Sequence, residues 1–196
     1  MRTLKTLVFA AAASVAMSAV ALATDLYEAV APVYEADEGH DWGGFYVGKL
    51  GGISFGWDSE CGRDCDDSFF GFSKVFGYNW DQGDIIYGID KMITFTWIGG
   101  QQEDFWKVST QKMGRVGIEI TDNAMIYGAA GLGWSTIICD VCSGGVWYGA
   151  VAAGLEVAVA DNLNWRTHVQ FSKPLHPDWS SLSVVSVGTG LVWQFN

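Results

Sequence analysis

Between Phe45 and Phe195 the chain alternates large apolar side chains with glycine, hydroxyl or charged ones in eight successive stretches, and the connections between them are alternately long and short. Successive side chains of a strand point to opposite faces, so this period of two assigns each stretch one apolar face and one small or polar face. In the third stretch Tyr87, Ile89, Ile93, Phe95 and Trp97 share one parity, while Gly88, Asp90, Met92, Thr94 and Thr96 share the other. In the eighth, Val185, Val187, Leu191, Trp193 and Phe195 oppose Ser186, Gly188, Gly190 and Gln194. A water-soluble β-sandwich or lipocalin-like barrel hides its aromatics and shows a polar exterior. Here the small parity is too slight to form such a core. The pattern predicts an all-β fold: an eight-stranded antiparallel up-and-down transmembrane β-barrel. A chain without a transmembrane helix crosses a bilayer only as a closed sheet.

The predicted strands are 43–57, 69–80, 85–98, 105–120, 124–137, 146–159, 164–171 and 182–195. Tight turns at Asp81-Gln82-Gly83-Asp84, Thr121-Asp122-Asn123 and Asp161-Asn162 come after the second, fourth and sixth strands, and the longer segments 58–68, 99–104, 138–145 and 172–181 come after the odd ones. That asymmetry directs the turns to the periplasm and the loops outward. Tyr78, Trp80, Tyr87, Trp97, Trp134, Trp147, Trp165 and Trp193 fall near strand ends, where amphipathic rings favour the headgroup boundary.

Residues 1–23 have the make-up of a cleaved export signal: Arg2 and Lys5, an apolar run from Leu7 to Leu22, and the small-x-small site Ala21-Leu22-Ala23. The run is shorter than the roughly 20 residues an anchor needs. The rest of the chain divides into an acidic periplasmic segment, 24–42, and a barrel, 43–196. Loss of Arg2 and Lys5 makes the formal charge of −11 still more negative, which argues against nucleic acid as a partner. The expected surroundings are outer-membrane lipid and lipopolysaccharide.

Cys61, Cys65, Cys139 and Cys142 form two close pairs, and export to an oxidising compartment makes them disulfide candidates with three possible connectivities. The C-x-x-C spacing also fits a metal, but no histidine lies near either pair, so no Zn²⁺, haem or other cofactor is expected. Asp58, Glu60, Asp64, Asp66 and Asp67 make the first loop acidic. They are a weak Ca²⁺ candidate, for they lack a recognisable ligand spacing, and a solvated loop explains them as well.

Trp42-Gly-Gly-Phe-Tyr-Val-Gly48, Gly77-Tyr-Asn-Trp80, Tyr127 through Gly133, Gly154-Leu-Glu156 and Ala160-Asp-Asn-Leu-Asn-Trp-Arg166 resemble the small OmpA-like outer-membrane β-barrel proteins of alphaproteobacteria. The resemblance covers the whole mature chain and implies an abundant envelope barrel, porin-like or structural, with no catalytic residues to carry over. Against the family pattern, Asp90 stands where an inward Glu is usual, Met113 replaces the first of two inward arginines while Arg115 keeps the second, and His168 replaces an acidic residue. Asn196 comes after the expected terminal Phe195.

Asp90, Arg115, Glu119, Glu156, Arg166, His168 and Gln170 fall on inward parity. Buried charges pair or neutralise, so they are expected to form a cross-strand ion-pair network that plugs the lumen. His168 with Glu156 would suit acid–base chemistry, but eight strands enclose a bore only wide enough for side chains, so no enzyme is expected.

Lys74, Lys91 and Lys112 fall on outward parity, and Lys49 does too unless Gly51-Gly52 carries a bulge. At about 3.3 Å per residue and a tilt near 45°, six residues climb roughly 14 Å from the periplasmic end, close to mid-bilayer. A lysine there costs about 2–4 kcal/mol. Three explanations stand: bulges turn the lysines into the lumen, the barrel sits low enough for them to snorkel, or a protein or anionic ligand covers this face. Gly128, Ala130, Gly149 and Ala153 on the outward face of the fifth and sixth strands would admit a second backbone, so homo- or hetero-oligomers are expected through the lysine and small-residue faces. The resulting expectation is a structural or assembly-forming barrel, with a narrow porin-like channel as the alternative and a surface module for metal or partner binding as the third.

Overall fold

A sheet in lipid has no water to satisfy an open edge, so its strands must close on themselves. The computed structural model describes residues 39–58, 67–98, 105–138, 143–176 and 182–195. Eight strands, β1 (Gly44–Asp58), β2 (Asp67–Asp81), β3 (Ile85–Ile98), β4 (Phe105–Thr121), β5 (Ala124–Ile138), β6 (Ser143–Ala160), β7 (Leu163–Pro174) and β8 (Leu182–Phe195), pair in sequence order, and β8 returns to β1. Every pair is antiparallel.

The rims differ from the sequence expectation by a few residues. β2 begins at Asp67, and β6 begins at Ser143 because that residue still pairs with Ile138. β7 runs past Phe171 to Pro174, which pairs with Tyr148. A proline is accepted there because the strand ends, and the next amide, Leu175 N–H, donates to Trp147 O at 2.8 Å. The expected signal segment, the acidic stretch to residue 38, all four cysteines and the loop carboxylates Glu60, Asp64 and Asp66 lie outside the described residues; Asp58 and Asp67 are the strand ends flanking that loop.

Exposure alternates along the strands as the parity argument requires. Phe70 (60%), Ile89 (56%), Trp147 (56%) and Leu132 (55%) stand out from the wall, while Val75, Met125, Arg115 and Glu156 are buried within it. Outward aromatics gather at both ends. Trp80, Tyr87, Trp165 and Trp193 lie toward the tight turns, with Trp97, Trp106 and Trp147 toward the opposite rim. Trp134 and Trp147 meet edge to face at 5.2 Å between centroids.

Register removes one explanation for the lysines. Pairing of β1 with β2 runs without a shift from Gly44 to Gly56, so Gly51-Gly52 carries no bulge and Lys49 faces outward with Lys74, Lys91 and Lys112. Shifts in the described ladders occur at Glu119/Thr121 and Ala158/Ala160, beside the tight turns. None of the four lysines is turned into the lumen. Lys49 lies directly opposite Lys74, and Lys91 directly opposite Lys112.

The tight-turn end is filled by residues that precede β1. Trp42, expected in the acidic periplasmic segment, is wholly buried against Ile86 and Met125, with Ala158 packed alongside. Its N–H donates to Asp81 Oδ2 at 3.1 Å, and its carbonyl accepts from Asn79 Nδ2 at 3.0 Å. Gln194 Nε2 donates to the Asp41 carbonyl at 2.7 Å, and His40 N–H to the Asp122 carbonyl at 2.8 Å. The strap is thus tied to β2, β8 and the β4–β5 turn. His40 rests edge-on against Trp42, and this burial lowers its pKa from 6.5 against the opposing pull of Asp41 and Gln194.

Trp42→Ala removes the base of the interior. It is expected to cost about 3–5 kcal/mol of unfolding free energy, seen as a lower urea midpoint in detergent micelles with β-sheet circular dichroism retained before the transition. An unchanged midpoint would show that the indole does not brace the barrel.

Candidate functional site: the charged lumen

An eight-stranded barrel leaves an interior that side chains must fill. Here the filling is layered above Trp42. The middle layer takes Asp90 from β3, Arg115 from β4, Glu156 from β6 and Arg166 from β7, two carboxylates and two guanidinium groups, all buried. Glu156 and Arg166 are direct cross-strand partners. Glu156 Oε1 lies 2.6 Å from Arg115 Nη2 and 2.7 Å from Arg166 Nε. Asp90 completes the ring, with Oδ2 3.4 Å from Arg166 Nη1 and Oδ1 3.9 Å from Arg115 Nη1.

Two tyrosines that the charge pattern did not single out complete this layer. The Tyr46 hydroxyl donates to Asp90 Oδ1 and accepts from Arg115 Nη1 at 3.4 Å. The Arg166 guanidinium carbon lies 4.8 Å from the Tyr46 ring centroid, and that of Arg115 lies 4.1 Å from Tyr127. An aromatic face carries partial negative charge, so each ring stabilises a desolvated cation that two carboxylates only partly surround. Room for the rings comes from glycines opposite them in register. A Cβ on Gly77 would lie 2.2 Å from Tyr46, and one on Gly154 would lie 2.5 Å from Tyr127. These pairings were the available signal: bulky inward residues face inward glycines.

Above the charges, an amide pair crosses the bore. Gln111 Nε2 on β4 donates to Gln170 Oε1 on β7 at 2.7 Å, and Gln170 Nε2 donates back to Gln111 Oε1 at 3.1 Å. The Tyr148 hydroxyl donates to the same Gln111 oxygen at 3.1 Å. Met113 and Met92 pack against Gln111, their sulfurs 3.2 and 3.8 Å from its Nε2.

The six ionisable residues expected in the ion-pair network divide three ways. Asp90, Arg115, Glu156 and Arg166 come together. His168 is inward and buried beside them, yet makes no side-chain hydrogen bond or ion pair among the described residues, and its Nδ1 is without a partner. Glu119 is a correction: it points inward but lies four residues nearer the β4–β5 turn than Arg115, at the register shift, among Asp81, Asp84 and Asp122 and half-buried. Height along the strand, which parity does not encode, separates it from the network.

On the outer face, Gly128, Ala130 and Ala153 are exposed and Gly149 is half-buried, and Gly128 lies directly opposite Ala153. They occupy β5 and β6, whereas the lysines occupy β1 to β4.

Removing one member of a buried ion pair leaves its partners uncompensated. Glu156→Gln is therefore expected to cost about 3–5 kcal/mol, and Glu156→Gln with Arg166→Gln less than the sum of the singles by about 0.5–3 kcal/mol. Urea midpoints of the four proteins in one detergent measure both, and strict additivity would show that the two side chains are not coupled.

The comparisons agree with this architecture. The family model for the outer membrane protein beta-barrel domain matches residues 7–195. The 22 kDa outer membrane protein of Rhizobium leguminosarum bv. viciae is 30% identical over 141 residues, covering 67% of this chain, and the match spans 64% of that protein's length. The 25 kDa outer-membrane immunogenic protein of Brucella abortus is 30% identical over 189 residues, covering 88% of this chain and 86% of the relative. Among solved structures, Neisserial surface protein A superposes with a TM-score of 0.57 at 15% identity, over 77% of this chain and 97% of that one. Ail, the attachment invasion locus protein of Yersinia pestis, gives 0.54 at 19% identity, over 78% and 99%. At that identity these two share the fold alone. Strand order, closed ladder, lipid-type exterior and family match lead to one conclusion: the chain belongs to the outer membrane protein beta-barrel family and is an outer-membrane protein.

Proposed function

We propose that the chain is a structural barrel of the outer membrane, closed to solute flow, that associates laterally with a protein partner or further copies of itself. The observation that carries the closed state is the stack of Trp42, the four-charge ring and the Gln111–Gln170 bridge, which together cross the bore at three heights. A charge ring held by its own counter-ions presents no free site for a permeating ion. The reading includes no catalysis. Glu156 is taken up by two guanidinium groups, and His168 has no carboxylate or nucleophile in hydrogen-bond contact among the described residues.

Lateral association draws its support from the exterior. Like charges directly opposite across a ladder repel. The Lys49–Lys74 and Lys91–Lys112 pairs would therefore be unfavourable twice over if bare lipid surrounded them, by repulsion and by the cost of charge in hydrocarbon. An anionic surface supplied by another protein relieves both, and the small residues of β5 and β6 allow a second backbone close approach on the other side. Two faces of unlike character favour head-to-tail contact.

In planar bilayers the purified chain is expected to give no unitary openings; steady steps would overturn the closed reading and favour a narrow porin-like channel. Native mass measurement in mild detergent is expected to show a species larger than the monomer, lost in the Lys74→Leu, Lys91→Leu, Lys112→Leu triple variant. Survival of that species in the variant, or a monomer from the start, would rule out association through these lysines.

A further inference from the structure

Above the amide bridge the barrel opens into a cup of about 170 Å³. Its walls are unlike those of the plug. Ser73, Thr94, Ser109 and Ser135 succeed one another in register across β2, β3, β4 and β5, all on inward parity. They place a row of hydroxyls around half the circumference, with Ser73 and Thr94 bonded to each other at 2.7 Å. The Gln111–Gln170 bridge, Tyr148 and His168 contribute to the lining below. Lys107, one inward step beyond Ser109 and opposite Thr96, also lines the cup.

Charge and hydrogen bonding in the cup are unbalanced. Lys107 has no ion pair or side-chain hydrogen bond among the described residues, and none of the described residues lining the cup is a carboxylate. A buried polar atom on this side of the bridge, Ser135 Oγ, is also without a hydrogen-bond partner, its residue 3% exposed. Buried polar groups are ordinarily satisfied, and one ammonium surrounded by donors and hydroxyls calls for an acceptor that carries negative charge. Liquid water takes about 30 Å³ per molecule, so the cup holds a tetrahedral oxyanion together with a few waters or the first atoms of whatever bears it.

We propose that the cup is a binding site for a phosphate or sulfate group, with Lys107 as its cationic partner and Ser135 and Ser109, which face each other across β4 and β5, as its hydrogen-bonding wall. Lys107 supplies the attraction, while the serine hydroxyls donate without adding charge, so the site suits one oxyanion at a time. The group comes either from a free anion entering at the outer rim or from the headgroup of a phosphorylated lipid in the outer leaflet. The proposal concerns a site separate from the plug and from the lysines of the outer face, and does not depend on lateral association.

Amide NMR spectra of the isotope-labelled full chain in neutral micelles, titrated with inorganic phosphate, test it. Lys107, Ser109 and Ser135 are expected to shift saturably with phosphate and not with chloride at equal ionic strength. Lys107→Gln is expected to raise the dissociation constant at least about tenfold and Ser135→Ala by a smaller factor, with resonances of the plug unchanged in both variants. A second arm uses nanodiscs of neutral lipid with and without phosphorylated lipopolysaccharide. If the same residues shift there without added phosphate, and free phosphate no longer moves them, the headgroup is the source. No saturable shift in either arm overturns the proposal. So does a cup indifferent to phosphate in which replacing Asp58, Asp64, Asp66 and Asp67 by Asn moves the same resonances, because Lys107 would then be paired with the chain's own carboxylates.

Discussion

Closure of the backbone hydrogen-bond ladder is the constraint on which the rest of this molecule depends. In hydrocarbon an unpaired amide has no substitute partner, so β8 must return to β1, and with eight strands the ring fixes the diameter of what it encloses. The alternation of faces then has chemical meaning: one parity must tolerate lipid, and the other must fit inside a narrow tube. Val75, Met92 and Val192 could line any soluble core; Arg115 and Arg166 in the same tube cannot be left without counter-charge.

The interior solves that problem by layering, and each layer depends on its neighbours across the ladder. Arg166 reaches Glu156 because the two are paired in register, and Tyr46 and Tyr127 lie flat because Gly77 and Gly154 opposite them have no side chain. Two positive and two negative groups give the middle layer no net charge, which limits the penalty of burying it. Below, Trp42 turns a segment from outside the sheet into the base of the barrel, held by Asp81, Asn79 and Gln194. Above the amide bridge the side chains become short, and space opens toward the outer rim. The lumen is therefore polarised along its axis, filled by large side chains toward the tight turns and lined by short ones toward the opposite rim.

The exterior carries the opposite tension. Two aromatic bands match the two headgroup boundaries, as lipid requires, yet four lysines lie between them in two like-charged pairs. The same closed ladder that protects the backbone prevents these side chains from turning inward, because a single-residue slip would reverse every face of the strand. With the lumen closed to them, these side chains either snorkel to a headgroup boundary or are met by a group from outside the barrel.

Strand number, strand order, the lipid-facing parity and the separation of turns from loops were all legible in the sequence, because a period of two repeated across eight segments leaves one closed arrangement. So was the inward direction of Asp90, Arg115, Glu156 and Arg166, which parity alone decides. Depth along the axis was not legible. It depends on strand tilt and register, and these placed Glu119 at the rim instead of among the arginines and drew Trp42 up into the lumen. Nor could the sequence say that Lys107 would line an emptier cup with no carboxylate among the described residues of its lining, since which inward residues share a height is set by the stagger of neighbouring strands. Local chemistry determined which side of the wall each residue occupies; only the closed three-dimensional register decided which residues meet.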